Sequence, residues 1–400
     1  MARPACLPGT ALLPVISAGF PGLRSLGGTL RIVIATTTGF HLRHLARELI
    51  AQGHQVTFVS ILPRWKTRSH GLPDTACVSL FWRLQPWAGL ALVRLPWRWL
   101  GRVRDDLAAR VDRAVTRLRL PCDAFVGLSS VTIESAAAAR ADGAVVLIDR
   151  GLTHVDAQVA AATAVGGTRP SATYIGRERA SYAVADAVVV LSAHAAATFC
   201  DAGFPADRLR ITPLGVDLDR FAMPATPAPL PVSAIFVGHW SRRKGCDLFA
   251  TLLDRLPDLR LTHVGLPGDA PFPVCPRFTT LGYRDHRSLA GELARHHLFV
   301  FPSRDDGFGM VMAEALACGL RVVASTASGA PDLERMVGGG VVSVVPPGDP
   351  DALADAVTAQ MQAIAADPAA ARPTVAQRAR LSWRHYGTVW SAMLAELRPA

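Results

Sequence analysis

The sequence predicts an α/β protein of two Rossmann-like βαβ domains that face each other across a cleft. Three observations carry that expectation. Short apolar runs rich in Val, Ile, Leu and Phe alternate with Ala- and Leu-rich helical patterns along most of the chain, the signature of parallel strands joined by helical crossovers. A proline-rich break, MPATPAPLPV, interrupts that alternation near the middle. The length of 400 residues suits two domains at roughly 100–200 residues each.

In chain order, RIVIATTT (31–38) is an apolar run ending in small polar residues before Gly39. The helical pattern HLRHLARELIAQG follows, closed by Gly53, and then a second strand, QVTFVSIL. Strand, glycine-containing turn, helix and strand make one βαβ unit. DAFVGLS (123–129), AVVLID (144–149), AVVVLS (187–192) and RLRITPL continue the series, and the turn Gly215–Val216–Asp217 ends it. The prolines of the break cannot sit in a helix or a central strand, so it reads as a linker. A new alternation begins at AIFVG (234–238) and runs through LTHVG (261–265), FTTLG (278–282), LFVFPS (298–303), RVVAS (321–325) and VVSVV (341–345). The expected organisation is an extension over 1–28, an N-terminal domain over 29–222, a linker over 223–232, a C-terminal domain over 233–382 and a terminal helix over 383–400. Open α/β sheets bind ligands at the carboxyl ends of their strands, which places the expected site between the domains.

Composition narrows the class. Half the residues are hydrophobic and 18% are charged, which excludes a largely disordered or collagen-like chain. Seven scattered cysteines form no C-x-x-C or Cys/His spacing, so neither a disulfide framework nor a metal site is expected. Residues 1–28 are broken by prolines and glycines and read as a poorly structured extension, not a signal peptide. No apolar stretch approaches the roughly 18 residues of a membrane span. The formal net charge is +10, and the excess sits in the first half. Between Arg64 and Arg104 lie eight basic residues, one acidic residue and five of the eight tryptophans: Trp65, Trp82, Trp87, Trp97 and Trp99. Tryptophan beside arginine suits the headgroup layer of an anionic membrane. A solvated basic face over ordinary core tryptophans is the alternative, and no nucleic-acid motif accompanies the charge. The expected location is the cytoplasm, peripheral on the inner face of the membrane.

The chemistry concentrates in two stretches. In FPSRDDGFGMVMAEALACG (301–319) a strand ends at Phe301, a loop carries Asp305 and Asp306, and Gly307 and Gly309 let the backbone approach a ligand at a helix start. Amides of Phe308, Gly309 and Met310 are available there. Glu314 lies on an apolar face of that helix, beside Met310, Val311, Ala317 and Cys318. A carboxylate in such company needs a polar partner, and a ligand hydroxyl pair supplies one. In IFVGHWSRRKGCDLF (235–249) a strand-to-helix loop presents cations to a diphosphate. Only two of the 42 basic residues are lysines, Lys66 and Lys244, so a lysine at 244 marks a site that uses a compact ammonium charge.

At these residues the chain resembles the retaining family 4 glycosyltransferases of GT-B fold. Their pattern is a carboxylate, seven intervening residues and a glutamate, built around GFG and followed by EAxAxG. Here it reads Asp306, GFGMVMA, Glu314, ALACG. The resemblance extends through AVADAVVVLS, GFPADRLRITPLGVDLDRF, the RKG turn, GLRVVASTASGAPDL and LSWRHYG. It implies that Asp306, with the backbone of Phe308 and Gly309, holds the transferred sugar's hydroxyls. Glu314 would hold the ribose, Arg243 and Lys244 the diphosphate, Gly282 and Tyr283 the base, and Gly39 the phosphates' other edge. His154, in LIDRGLTHVDAQ, matches a family histidine near the reacting carbon. Two departures stand out: Asp306 replaces the usual glutamate, and His239 occupies a frequent arginine position.

The resemblance further implies transfer of a hexose-type sugar from a nucleotide-diphosphate sugar, with retention, no side-chain nucleophile, no metal and no separate cofactor. The acceptor, a lipid-linked or cell-envelope glycan, would bind the N-terminal domain, and the segment around Trp383 and Tyr386 would pack back onto that domain. A GT-B epimerase and a degenerate, membrane-bound binding subunit are the rival readings. A dinucleotide enzyme is disfavoured because TTTGFH holds one glycine where G-x-G-x-x-G needs three.

Overall fold

The computed structural model describes residues 28–92, 97–164 and 169–397. Residues 1–27 of the expected extension lie outside the described residues. So do the side chains at Arg94, Trp97, Arg98, Trp99 and Arg102 of the basic segment.

The first sheet contains β1 (Arg31–Ala35), β2 (Gln55–Ser60), β3 (Cys77–Ser79), β4 (Ala124–Leu128), β5 (Val145–Arg150), β6 (Ala187–Val190) and β7 (Leu209–Ile211). Every pairing is parallel, in the order β3-β2-β1-β4-β5-β6-β7. The second contains β8 (Ser233–Val237), β9 (Arg260–Val264), β10 (Phe278–Thr280), β11 (Leu298–Phe301), β12 (Arg321–Ser325) and β13 (Val342–Val345). It is also parallel throughout, in the order β10-β9-β8-β11-β12-β13. The inner strands are buried along nearly their whole length because helices cover both faces, which is why they read as unbroken apolar runs. The edge strand β3 left no such run; its three residues follow a short turn in a stretch of mixed polarity.

Strand order reverses between β1 and β4 in the first sheet and between β8 and β11 in the second. Loops leaving the carboxyl ends on either side of such a switch point splay apart and open a crevice. Both crevices face the same cleft.

One hydrophobic cluster runs from the helix Leu42–Ala51 through Leu214, Val216 and Phe221 into the second domain and the terminal helix Trp383–Glu396. That helix lies against Leu42–Ala51: the Trp383 indole stacks on the His44 ring at 4.3 Å and 2°. Polar contacts join the domains beside the cleft. Ser192 Oγ donates to the Gly307 carbonyl at 2.6 Å, and the Ala193 N–H donates to Asp332 Oδ2 at 2.9 Å. His194 Nε2 lies 3.3 Å from Asp305 Oδ1. Glycine is required at 307, where a Cβ would overlap the carbonyl oxygen of Gly151 in the opposite domain.

Candidate functional site

The loop after β11 is fixed from behind before it reaches the cleft. Arg304 forks onto Asp247 at 2.6 and 2.9 Å, its backbone N–H donates to the Arg243 carbonyl, and Arg243 Nη1 donates to the Asp305 carbonyl at 2.6 Å. The loops after β8 and β11 are therefore tied together. Asp306 accepts the Phe308 N–H at 3.0 Å through Oδ1 and pairs through Oδ2 with Lys244 Nζ. Gly309 takes the left-handed conformation, φ 77°, as the N-cap of the helix Met310–Ala317, which leaves the first amides of that helix facing the cleft. Burial, and then the neighbouring Arg243 charge, pull Lys244 down to about 7.

One turn into that helix stands Glu314, 3% exposed. Its Oε1 lies 3.9 Å from His286 Nδ1, and its Oε2 has no hydrogen-bond partner. Burial pushes the carboxyl up to about 7, with Arg220 opposing. A buried acceptor without a donor carries a desolvation cost that a hydroxyl donor would relieve.

The cleft measures about 1010 Å³. Across from Asp306 the N-terminal domain contributes the loop after β1, with Gly39, His41 and Arg43, and the ends of β4 and β5. His41 Nε2 lies 2.8 Å from Asp149 Oδ2, a carboxylate with no exposure, so the ring is held with Nδ1 as its unengaged nitrogen. Deeper in this domain, fully buried Arg150 donates to Glu178 Oε1 at 2.6 Å and to Tyr174 Oη at 2.8 Å. Glu178 Oε2 is buried without a partner.

Among the expected site residues, the structure brings Gly39, Lys244, Asp306, Phe308, Gly309, Met310 and Glu314 to one cleft. Arg243 is not part of that lining; its guanidinium braces the Asp305 carbonyl. Gly282 and Tyr283 stand outside the lining on the loop after β10, Tyr283 being 58% exposed. His154 is buried away from the cleft at a helix start. Its Nδ1 accepts the Asp156 N–H at 3.2 Å, its ring packs against Phe199 and Tyr182, and burial lowers its pKa. A histidine placed by chain order alone thus falls behind the wall that His41 faces. Sequence reasoning missed His41 and Asp149. Asp149 left a signal, a carboxylate ending the apolar run AVVLID, and His41 follows directly on the Gly39 turn.

The arrangement suits a ligand with a diphosphate between hydroxyl-bearing rings: a helix N-terminus and lysine for the anion, and carboxylates on either side for hydroxyls. The model for Glycosyltransferase Family 4 matches residues 38–220, and that for Glycosyl transferases group 1 matches residues 231–362. A GDP-mannose-dependent alpha-(1-6)-phosphatidylinositol monomannoside mannosyltransferase of Mycolicibacterium smegmatis is 33% identical over 205 residues, 43% of this chain and 52% of that one. A D-inositol 3-phosphate glycosyltransferase of Xylanimonas cellulosilytica is 32% identical over 247 residues, 54% of this chain and 57% of that one. The chain spans about half the length of the curated relatives it matches. Among solved structures, sucrose-phosphate synthase from Thermosynechococcus elongatus has the same fold, with a TM-score of 0.65, 23% identity, and coverage of 92% of this chain and 98% of that one.

Proposed function

The chain belongs to the group 1, family 4 glycosyltransferases and has their two-domain GT-B fold, and on that premise we propose that it transfers a hexose-type sugar from a nucleotide-diphosphate sugar to a hydroxyl of a lipid-linked or cell-envelope glycan acceptor, with retention of configuration. The observation that carries this reading is the loop and helix from Asp306 to Glu314, which aims a carboxylate, helix amides and a second buried carboxylate into one cleft beside Lys244.

In this reading Glu314 Oε2 takes a ribose hydroxyl, and the amides opening the helix Met310–Ala317 take the diphosphate together with Lys244 and the Gly39 turn. When phosphate enters, Lys244 exchanges its carboxylate partner for the anion and Asp306 turns to the sugar's hydroxyls. The anomeric carbon–oxygen bond breaks with its electron pair left on the diphosphate. The acceptor oxygen forms the new bond on the same face, and its proton passes to the departing phosphate oxygen. Lys244 and the helix amides stabilise the growing charge, which is electrostatic preorganisation and requires no side-chain nucleophile and no metal. The acceptor would lie against the N-terminal domain, where Arg150, Tyr174 and Glu178 border the same cleft.

The short helix Arg64–Arg68 and the turn Trp82–Leu84 carry exposed tryptophans among cations, Trp65 at 65% and Trp82 at 81% exposure. They support docking on an anionic membrane, which co-sedimentation with anionic vesicles tests. No described helix is long and apolar enough to cross a membrane.

A thermal-shift screen against UDP, GDP, ADP and their sugar conjugates tests the transferase reading. A ligand at a hundred times its Kd stabilises the fold by about 2.7 kcal/mol. One nucleotide should raise the melting temperature, Lys244→Ala and Glu314→Ala should abolish the shift, and turnover with that donor and an acceptor should survive chelation and give an α product from an α donor. Binding without any turnover would favour the non-catalytic subunit, for which the Asp306 and His239 departures are the supporting features.

A further inference from the structure

Charge is unevenly settled in the cleft. Lys244 meets Asp306, Arg150 meets Glu178, and Arg177 reaches Asp112 at 3.4 Å. Arg43, half-buried on the first turn after Gly39, meets no carboxylate among the described residues. Its Nη1 lies 3.0 Å from His70 Nε2, and its Nε donates to His44 Nε2 at 3.4 Å. Both histidines are held neutral: burial and then Arg43 itself bring His44 down to about 3 and lower His70. A neutral imidazole accepts a hydrogen bond, so the pair orients the guanidinium and leaves its charge unbalanced. Trp383, stacked on His44, holds that ring in place.

A second guanidinium faces the same space. Arg220 lines the cleft within electrostatic reach of Arg43, and its nearest carboxylate, Asp217, lies 3.9 Å away. The field of Arg220 is felt across the cleft at Glu314 and His286. Two like charges in one half-desolvated cleft, which Met310 and Val311 also line, are held at a cost that an anion removes. The Arg43 N–H donates to the Gly39 carbonyl at 3.0 Å, which ties its backbone to the glycine turn, and its side chain lines the cleft.

We propose that Arg43 and Arg220 form the N-terminal domain's half of a clamp on the donor's diphosphate, closing from the side opposite the helix Met310–Ala317. The clamp rests on the transferase reading. It faces Lys244 and Arg243 of the C-terminal domain, where Arg243 Nη1 donates to the Asp305 carbonyl at 2.6 Å. Because its two halves come from different domains, the diphosphate itself draws the cleft shut.

Calorimetric titration of the full chain with the nucleoside diphosphate selected by the screen, and with the matching uncharged nucleoside, tests it on Arg43→Gln, Arg220→Gln and Arg43→Lys. Arg43→Gln and Arg220→Gln should each weaken diphosphate binding by about tenfold or more and leave nucleoside binding within about twofold. Arg43→Lys should recover part of the loss. Arg220 is 48% exposed, so its substitution leaves the fold intact and keeps the test valid if Arg43→Gln unfolds. Diphosphate affinity unchanged in Arg220→Gln, or nucleoside affinity lost in parallel, would overturn the clamp. An unaltered protein that binds no diphosphate would overturn the transferase reading with it.

Discussion

Glu314 is the residue at which burial and charge conflict most openly. Its folded pKa is raised from 4.5 to about 7, chiefly by burial. Between those values the folded protein holds more protons than the unfolded chain, so this group's contribution to stability falls as pH rises through that window. Glu314→Gln keeps the neutral shape at every pH. The variant's advantage over the unaltered protein should grow from near zero below pH 4.5 to on the order of 3 kcal/mol above pH 7, read from urea unfolding at pH 5 and pH 8. A difference independent of pH would mean that Glu314 is ionised and partnered in the folded state. Glu314 was legible in the sequence because a carboxylate amid apolar helix positions is conspicuous. Arg43 was not, since an arginine in an amphipathic helix reads as solvated, and only the neutral histidines around it reveal an unbalanced charge.

At the scale of elements, the strands and crossovers were legible because strands buried on both faces must be apolar throughout. The loops between them were legible only where glycine marked a backbone constraint. The short segments Arg64–Arg68 and Trp82–Leu84 belong here. Composition placed five tryptophans in one basic stretch, but the structure separates the three whose side chains are described: Trp65 and Trp82 face solvent, while Trp87 packs on the core cluster with Arg110 4.7 Å above its ring. Periodicity cannot make that division across turns this short. Cations near an anionic surface contribute about 1 kcal/mol each, and exposed indoles add interfacial burial. Trp65→Ser combined with Trp82→Ser should therefore reduce binding to phosphatidylglycerol vesicles by about tenfold or more and leave nucleotide binding unaltered. Equal binding by the double variant would return these residues to an ordinary basic surface.

For the whole molecule, polar contacts beside the cleft join the two domains. Asp332, 4% exposed, caps the helix Ala193–Asp201 of the other domain through the Ala193 N–H, and Ser192 reaches Gly307 on the same border. Losing a helix cap costs about 1 kcal/mol, here charged against closure. Asp332→Ala should widen the ligand-free protein, seen as a larger radius of gyration in small-angle scattering. It should also raise donor hydrolysis relative to transfer, since a cleft that closes less often admits more water. An unchanged radius and an unchanged ratio would assign closure to the hydrophobic contacts of the terminal helix instead.

By itself the sequence determined the fold class and made the carboxylate-GFG-glutamate stretch legible, because strand burial and helix periodicity act over a few neighbouring residues. Which histidine faces the cleft, which arginine lacks a counter-charge and which tryptophans meet solvent were decided by tertiary structure alone. His41 and Asp149, or Arg43 and Arg220, are more than a hundred residues apart, and whether two such charges compensate, repel or await a ligand depends on distance and desolvation, which exist only once the chain has folded.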